Sequence, residues 1–335
     1  MSSPPPASKR TTAARLFARI LIILSLTALL GGWLFYAIRY QHLHDTLITW
    51  FQGRQMDETV WNDEQDRSSA FWLPDYRVVS WHRIPEIDNN LSGLSFVGER
   101  QELLAVLNRP PTLVTLDLAG NFKAAYPLEG ISDTEGISYL GHGQVALSDE
   151  KHGQVVIARL PEQPGPIDLT HAPRFAVGPG EKSNSGIEGL SYDRAQDRLY
   201  AVKEHSPKAL YRIDGLCRDV LNCSPDGIRI HDLSNWLAPT GFARDFSAVQ
   251  FDPARGHLLL LSEQSQALLE LDENGQPLSA RHLGHQPGDP DIPQAEGLTL
   301  GQDGMIYMVS EPNLFYRLAP IADTKEDSDH AGTYQ

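Results

Sequence analysis

Five stretches of the chain share one succession of small, apolar and polar positions: LSGLSFVGERQELLAVLN (91–108), TEGISYLGHGQVALSDE (134–150), IEGLSYDRAQDRLYAVKE (187–204), FSAVQFDPARGHLLLLSE (246–263) and AEGLTLGQDGMIYMVSE (295–311). Each has a small residue, Gly93, Gly136, Gly189, Ala248 or Gly297, inside a short apolar strand, then a turn, then a nearly unbroken apolar run. The run ends 14 or 15 residues after the small residue, at Asn108, Glu150, Glu204, Glu263 and Glu311. A third strand follows, as in TLVTLDL, QVVIARL, ALYRID, ALLELD and LFYRLA, and turn pairs such as Asn274-Gly275 close several units. Continuous apolar runs suit strands buried between stacked sheets, and helical periodicity is absent after residue 40.

Units of three or four strands, repeating at 43, 53, 59 and 49 residues, predict an all-β, five-bladed β-propeller over residues 75–320. A β-solenoid would need shorter and more uniform repeats. The last unit stops after its third strand, near Leu318. The segment YRVVSWHRI (76–84) precedes the first unit and is expected to supply the missing outer strand, closing the ring without an unpaired edge. Residues 321–335 read as a disordered tail.

A different pattern fills the N-terminus. Residues 20–38, ILIILSLTALLGGWLFYAI, carry no charge and are long enough as a helix to cross a bilayer core. Lys9, Arg10, Arg15 and Arg19 precede them in the basic segment 1–19, which is expected to stay cytoplasmic while the remainder is translocated. The chain is therefore expected to have a single N-terminal transmembrane helix, a signal anchor, followed by a linker over 39–74. A cleaved signal peptide is the alternative, but its apolar region is usually shorter and ends in small residues, whereas this one closes with Trp33, Phe35 and Tyr36.

Charge sharpens the picture. Of 28 Lys plus Arg and 43 Asp plus Glu, the first 39 residues hold five basic and no acidic residues, leaving a body of net −20. Such a body does not hold nucleic acid by general electrostatics, and it attracts cations. Cys217 and Cys223, the only cysteines, lie in one loop and can form a local disulfide in an oxidising compartment or remain two free thiols. They cannot complete a metal site by themselves.

In a propeller, the first strand of every blade lines the central channel. The residue before each small residue reads Ser92, Glu135, Glu188, Ser247 and Glu296. Rotation brings equivalent positions to one axis, so Glu135, Glu188 and Glu296 form one set and Glu150, Glu204, Glu263 and Glu311 a second. Clustered carboxylates must rise in pKa, pair with bases or enclose a hard cation. Oxygen-only ligands from several blades favour Ca²⁺ over zinc or copper. A purely structural role is the alternative, with pairing to Lys203, Lys208, Lys151 and Arg109.

SDTEGISYL (132–140), ALSDE (146–150), EGLSYD (188–193), KEHSPKALYRI (203–213), DIPQAEGLTL (291–300) and VSEPNLFYRL (309–318) resemble the SdiA-regulated family, the YjiK/CarP-like β-propellers of bacterial envelopes. The resemblance covers about residues 76–318. It implies a membrane-attached or periplasmic propeller, with calcium-linked physiology in one branch and a suspected similarity to phytases. Together with the N-terminal span, this places the chain, as an expectation, in the bacterial inner membrane with its propeller in the periplasm. Ser247-Ala248, where Glu-Gly is absent, and the Cys217–Cys223 loop depart from the pattern. Three functions follow as expectations. The first is calcium binding in or near the channel, with a role in calcium response or envelope homeostasis and a propeller face open to a protein partner. The second is a calcium-dependent hydrolase of phosphate esters or lactones, using Glu204 or Glu296 as base and His205, His152, Lys203, Lys208 or Arg109 to stabilise charge. The third is a metal-free scaffold for protein contacts.

Overall fold

The computed structural model describes residues 9–40, 61–178, 186–204, 207–218, 222–284 and 288–321. The chain divides into two units, 1–51 and 52–335. In the first, a helix α1 (Lys9–Tyr40) runs without interruption through the expected span at 20–38. Its side chains are described at residue 17 and residues 19–33, and all are exposed. No helix among the described residues is long and apolar enough to cross a membrane. Residues 34–38 of the expected span have side chains outside the described set, as do most of the expected linker and residues 322–335 of the expected tail.

The second unit is the five-bladed propeller. Strand β1 (Tyr76–Arg83) opens it. Blade 1 comprises β2 (Leu91–Val97), β3 (Glu102–Asn108), β4 (Pro111–Asp117) and β5 (Phe122–Glu129). Blade 2 comprises β6 (Ile137–Gly141), β7 (Gln144–Asp149) and β8 (Gln154–Arg159), with a short β9 (Ile167–Asp168) before its outer strand β10 (Arg174–Ala176). Blade 3 is β11 (Ile187–Asp193), β12 (Arg198–Lys203), β13 (Ala209–Asp214) and β14 (Arg229–Asp232). Blade 4 is β15 (Ala248–Asp252), β16 (His257–Ser262), β17 (Ala267–Leu271) and β18 (Pro277–His282). Blade 5 is β19 (Ala295–Leu300), β20 (Ile306–Ser310) and β21 (Leu314–Pro320), and β1 pairs antiparallel with β21 as its fourth strand, Tyr76 opposite Pro320 and Arg83 opposite Leu314. The expected closure of the ring is present.

Second strands such as β16, HLLLLS, are buried at every position because each blade meets a neighbour on both faces. Five large apolar clusters fill the gaps between blades, for example Leu104, Val106, Val145 and Leu147 between blades 1 and 2. Truncating one of these side chains costs about 2–5 kcal/mol. Blade 1 is also tied to blade 2 by β9, which adds parallel to β5 with Leu128 opposite Ile167.

Residues 61–74, expected to be linker, instead strap the outside of blade 4. Trp61 is fully buried edge-on to Phe242. Asn62 mimics a strand: its backbone N–H donates to the Leu278 carbonyl and its side-chain oxygen accepts from the Ala280 N–H. Buried Glu270 accepts from the N–H groups of Phe71 (2.6 Å) and Trp72 (3.2 Å) and from Ser279, and pairs with His257. Burial opposes the charge on His257, but the Glu270 carboxylate outweighs it and raises the imidazole pKa. Cys217 and Cys223 are joined as a disulfide in the connection from β13 to β14, where Cys223 N–H donates to Gln144 of blade 2.

Candidate metal centre at the acidic channel mouth

The recurring small residue has a steric origin. A Cβ on Gly93 would lie 2.3 Å from the Glu135 carbonyl oxygen, and one on Gly136 would lie 2.3 Å from that of Glu188. The innermost strands thus converge so closely that the residue before each small position sits on the axis. Ladder pairing jumps from Ile187 to Gly189 and from Ala295 to Gly297. Glu188 and Glu296 are therefore bulge residues, without a cross-strand partner on β12 or β20.

All seven glutamates expected on the axis are buried or half-buried, and the structure gathers them. Glu188 feels the charges of Glu135, Glu150, Glu204 and Glu296, and Glu296 feels those of Glu263, Glu135, Glu311 and Glu204. Burial, reinforced by these neighbours, holds both pKa values well above the usual carboxylate range. Burial pushes Glu204 up to about 8, with Asp245, Glu150 and Glu263 adding repulsion. Glu135 is pushed up to about 7 by burial, against hydrogen bonding from Asn108 and with repulsion from Glu150 and Asp133. Glu311 is raised by burial.

One compact group forms within this field. Carboxylate oxygens of Asp133, Glu135 and Glu150 all lie within 4.8 Å of one another. The elements explain why. The Glu150 N–H donates to the Asp133 carbonyl at 2.9 Å, pinning the end of β7 to the approach to β6, and Glu150 Oε1 accepts from Gly186 N–H of blade 3 at 3.4 Å. Asn108 of blade 1 donates Nδ2 to Glu135 Oε1 at 2.7 Å. Three further oxygens nearby in the fold, Asn108 Oδ1, Asp133 Oδ1 and Thr134 Oγ1, are buried without a hydrogen-bond partner. Three carboxylates and an uncommitted amide oxygen are the hard donor set that Ca²⁺ takes. Glu188, Glu204, Glu263, Glu296 and Glu311 do not join this group.

Asp133 escaped the sequence reading because it lies two residues before Glu135, a position that is Asn90, Gly186, Asp245 and Gln294 in the other blades. Its signal was the acidic pair in SDTEG. Of the expected neutralising bases, Arg109 alone reaches the group among the described residues. Arg109 pairs with Asp133 at 3.1 Å, and its guanidinium is largely exposed. Lys208 is turned onto the Ala243 carbonyl and the Phe246 ring, where burial lowers its pKa. Lys151 and Lys203 form no ion pair among the described residues. His152 sits on the buried Asp149 carboxylate at 2.9 Å, beside Glu150. His205 lies outside the described residues.

Several solved structures are similar to the chain at low identity. A luciferin-regenerating enzyme matches with a TM-score of 0.46 and 13% identity, covering 72% of this chain and 96% of that one. A streptogramin B lyase gives 0.44 and 12%, covering 75% and 100%. A virginiamycin B lyase from Staphylococcus aureus gives 0.39 and 14%, covering 70% and 68%. At the level of sequence, residues 68–319 match the family described as SdiA-regulated, and the chain belongs to the SdiA-regulated family.

Proposed function

We propose that this protein is a calcium-binding envelope propeller, anchored in the bacterial inner membrane by residues 20–38 and carrying its propeller in the periplasm. The observation that carries the calcium reading is the convergence of Asp133, Glu135 and Glu150 within 4.8 Å at the channel mouth. Asp133, Glu135, Glu150 and Asn108 Oδ1 would hold the ion. A bound divalent cation supplies compensation for charges that otherwise require protonation of Glu135 near neutral pH. Binding of calcium would stiffen the contact between blades 1, 2 and 3 and so report external calcium to a partner on that face. The disulfide supports an oxidising compartment, and the basic residues ahead of 20–38 support the orientation.

One observation favours a second reading, a calcium-dependent hydrolase: a His152–Asp149 pair is formed by residues that flank Glu150 in the sequence. Asp149 would fix the imidazole tautomer, leaving Nε2 to move a proton. Calorimetric titration of the full chain with calcium tests the main reading, and assay of phytate and lactones with and without calcium tests the second. Heat without turnover supports the binding protein; turnover lost in His152→Ala supports the hydrolase.

A further inference from the structure

The far end of the innermost strands opens into a second chamber, a cavity of about 1000 Å³ with no part in the acidic group. Three successive blades present a serine followed by an aromatic residue to it, Ser95-Phe96, Ser138-Tyr139 and Ser191-Tyr192, and the remaining two present Gln250-Phe251 and Thr299-Leu300. The hydroxyls form a belt. Ser95 Oγ accepts from Tyr139 N–H at 2.9 Å, Ser191 Oγ from Phe251 N–H at 2.8 Å, and Thr299 Oγ1 from Phe96 N–H at 3.1 Å.

Thr299 also donates to Gln250 Oε1 and is saturated. The hydroxyl protons of Ser95, Ser138 and Ser191 have no acceptor among the described residues, although these side chains are only 8%, 3% and 4% exposed. Three nearly buried donors thus point to a need for oxygen acceptors in the cavity. The tyrosines on the wall are fixed at their phenol ends: Tyr139 Oη accepts from Gly143 N–H, and Tyr192 donates to Asp197 at 2.8 Å. Their rings are half-buried. Both guanidiniums at the rim are paired, Arg194 with Glu99 at 2.6 Å and Arg255 with Asp252 at 3.0 Å, and the one further carboxylate there, Asp303, accepts from Met305 N–H at 3.1 Å.

We propose that this cavity is a binding site for an uncharged carbohydrate, distinct from the calcium site and independent of it. A sugar ring presents oxygen acceptors on its edge and C–H groups on its face, matching the three serine donors and the aromatic wall together. An anion finds no uncompensated partner there, because both guanidiniums at the rim are already paired. The volume, at the upper end of small-molecule sites, accommodates a short oligosaccharide rather than a single hexose.

The test uses the full chain in a detergent without a sugar headgroup, titrated calorimetrically with maltotriose, cellotriose and N-acetylated chitotriose up to about 10 mM. At least one should bind with 1:1 stoichiometry, unchanged by chelation of calcium. Tyr139→Ala should weaken that binding about three- to tenfold through loss of one aromatic face. Ser138→Ala, which removes a single donor and leaves the strand packing intact, should weaken it as well. Absence of heat from all three sugars, or binding unaltered in both variants, overturns the proposal. Loss of sugar binding on removal of calcium would overturn its independence from the acidic mouth.

Discussion

Asn108 donates its side-chain N–H to Glu135 Oε1 at 2.7 Å, so that the one neutral member of the second-strand ring holds a carboxylate of the next blade in place. The same amide leaves its oxygen buried without a partner. Asn108 thus does two things: it lowers the cost of charge on Glu135, and it reserves one oxygen at the edge of the carboxylate group.

Replacing that amide by a fourth carboxylate separates these roles. Asn108→Asp should lower the melting temperature in chelator by several degrees, because like charges meet in a buried place and about 1 kcal/mol moves a domain of this size by about 2–4 °C. Calcium should restore more stability to Asn108→Asp than to the unaltered chain. Paired thermal melts with chelator and with calcium read both effects.

The pH dependence has a definite sign. Glu135 and Glu204 titrate near 7 and 8 in the folded chain, above the ordinary value of 4.5. Between about pH 4.5 and 8 the folded state therefore binds more protons than the unfolded one, and stability must fall as pH rises. Without calcium, the melting temperature should drop from pH 5 to pH 8; with saturating calcium the drop should shrink, and calcium affinity should rise over the same interval as protons are displaced. Melting curves across that range, with and without metal, decide it.

Close approach at the axis makes the small residues a stability determinant. Gly136→Ala would drive a methyl group to 2.3 Å from the Glu188 carbonyl, so the strands must part. The expected loss is about 1–3 kcal/mol, measurable by denaturant titration, whereas alanine at Gly143, where nothing approaches, should act only through its left-handed backbone.

The strap on blade 4 depends on Glu270. Removing its carboxylate in Glu270→Ala leaves two buried N–H groups and His257 without their acceptor. A loss of about 3–5 kcal/mol is expected from breaking such a buried pair. Faster hydrogen exchange at residues 71–73 would localise the effect to the strap.

The blade count and the closure by 76–84 were legible because the need for a small residue on the axis repeats with the rotation of the fold. Gly93, Gly136, Gly189, Ala248 and Gly297 mark it in the sequence. The seven glutamates were legible for the same reason. Asp133 was not, because only Asp245 repeats its carboxylate and the other blades carry Asn90, Gly186 and Gln294 there; the Glu150–Asp133 backbone bond places it beside Glu150. The strap was hidden because residues 61–74 carry no period, and Trp61 is buried by long-range contacts alone. The Ser–aromatic dipeptides looked like ordinary core strand until the registers placed them around one cavity.

The most direct measurement is calorimetric titration of the full chain with calcium near pH 7.5, alongside Glu135→Gln and Glu150→Gln. One calcium should bind the unaltered chain, and each variant should lose about tenfold or more in affinity, the effect of about 1.4 kcal/mol, with its fold retained. No heat and no thermal shift up to millimolar calcium, or equal binding by both variants, would contradict the assignment of the acidic mouth as a calcium site.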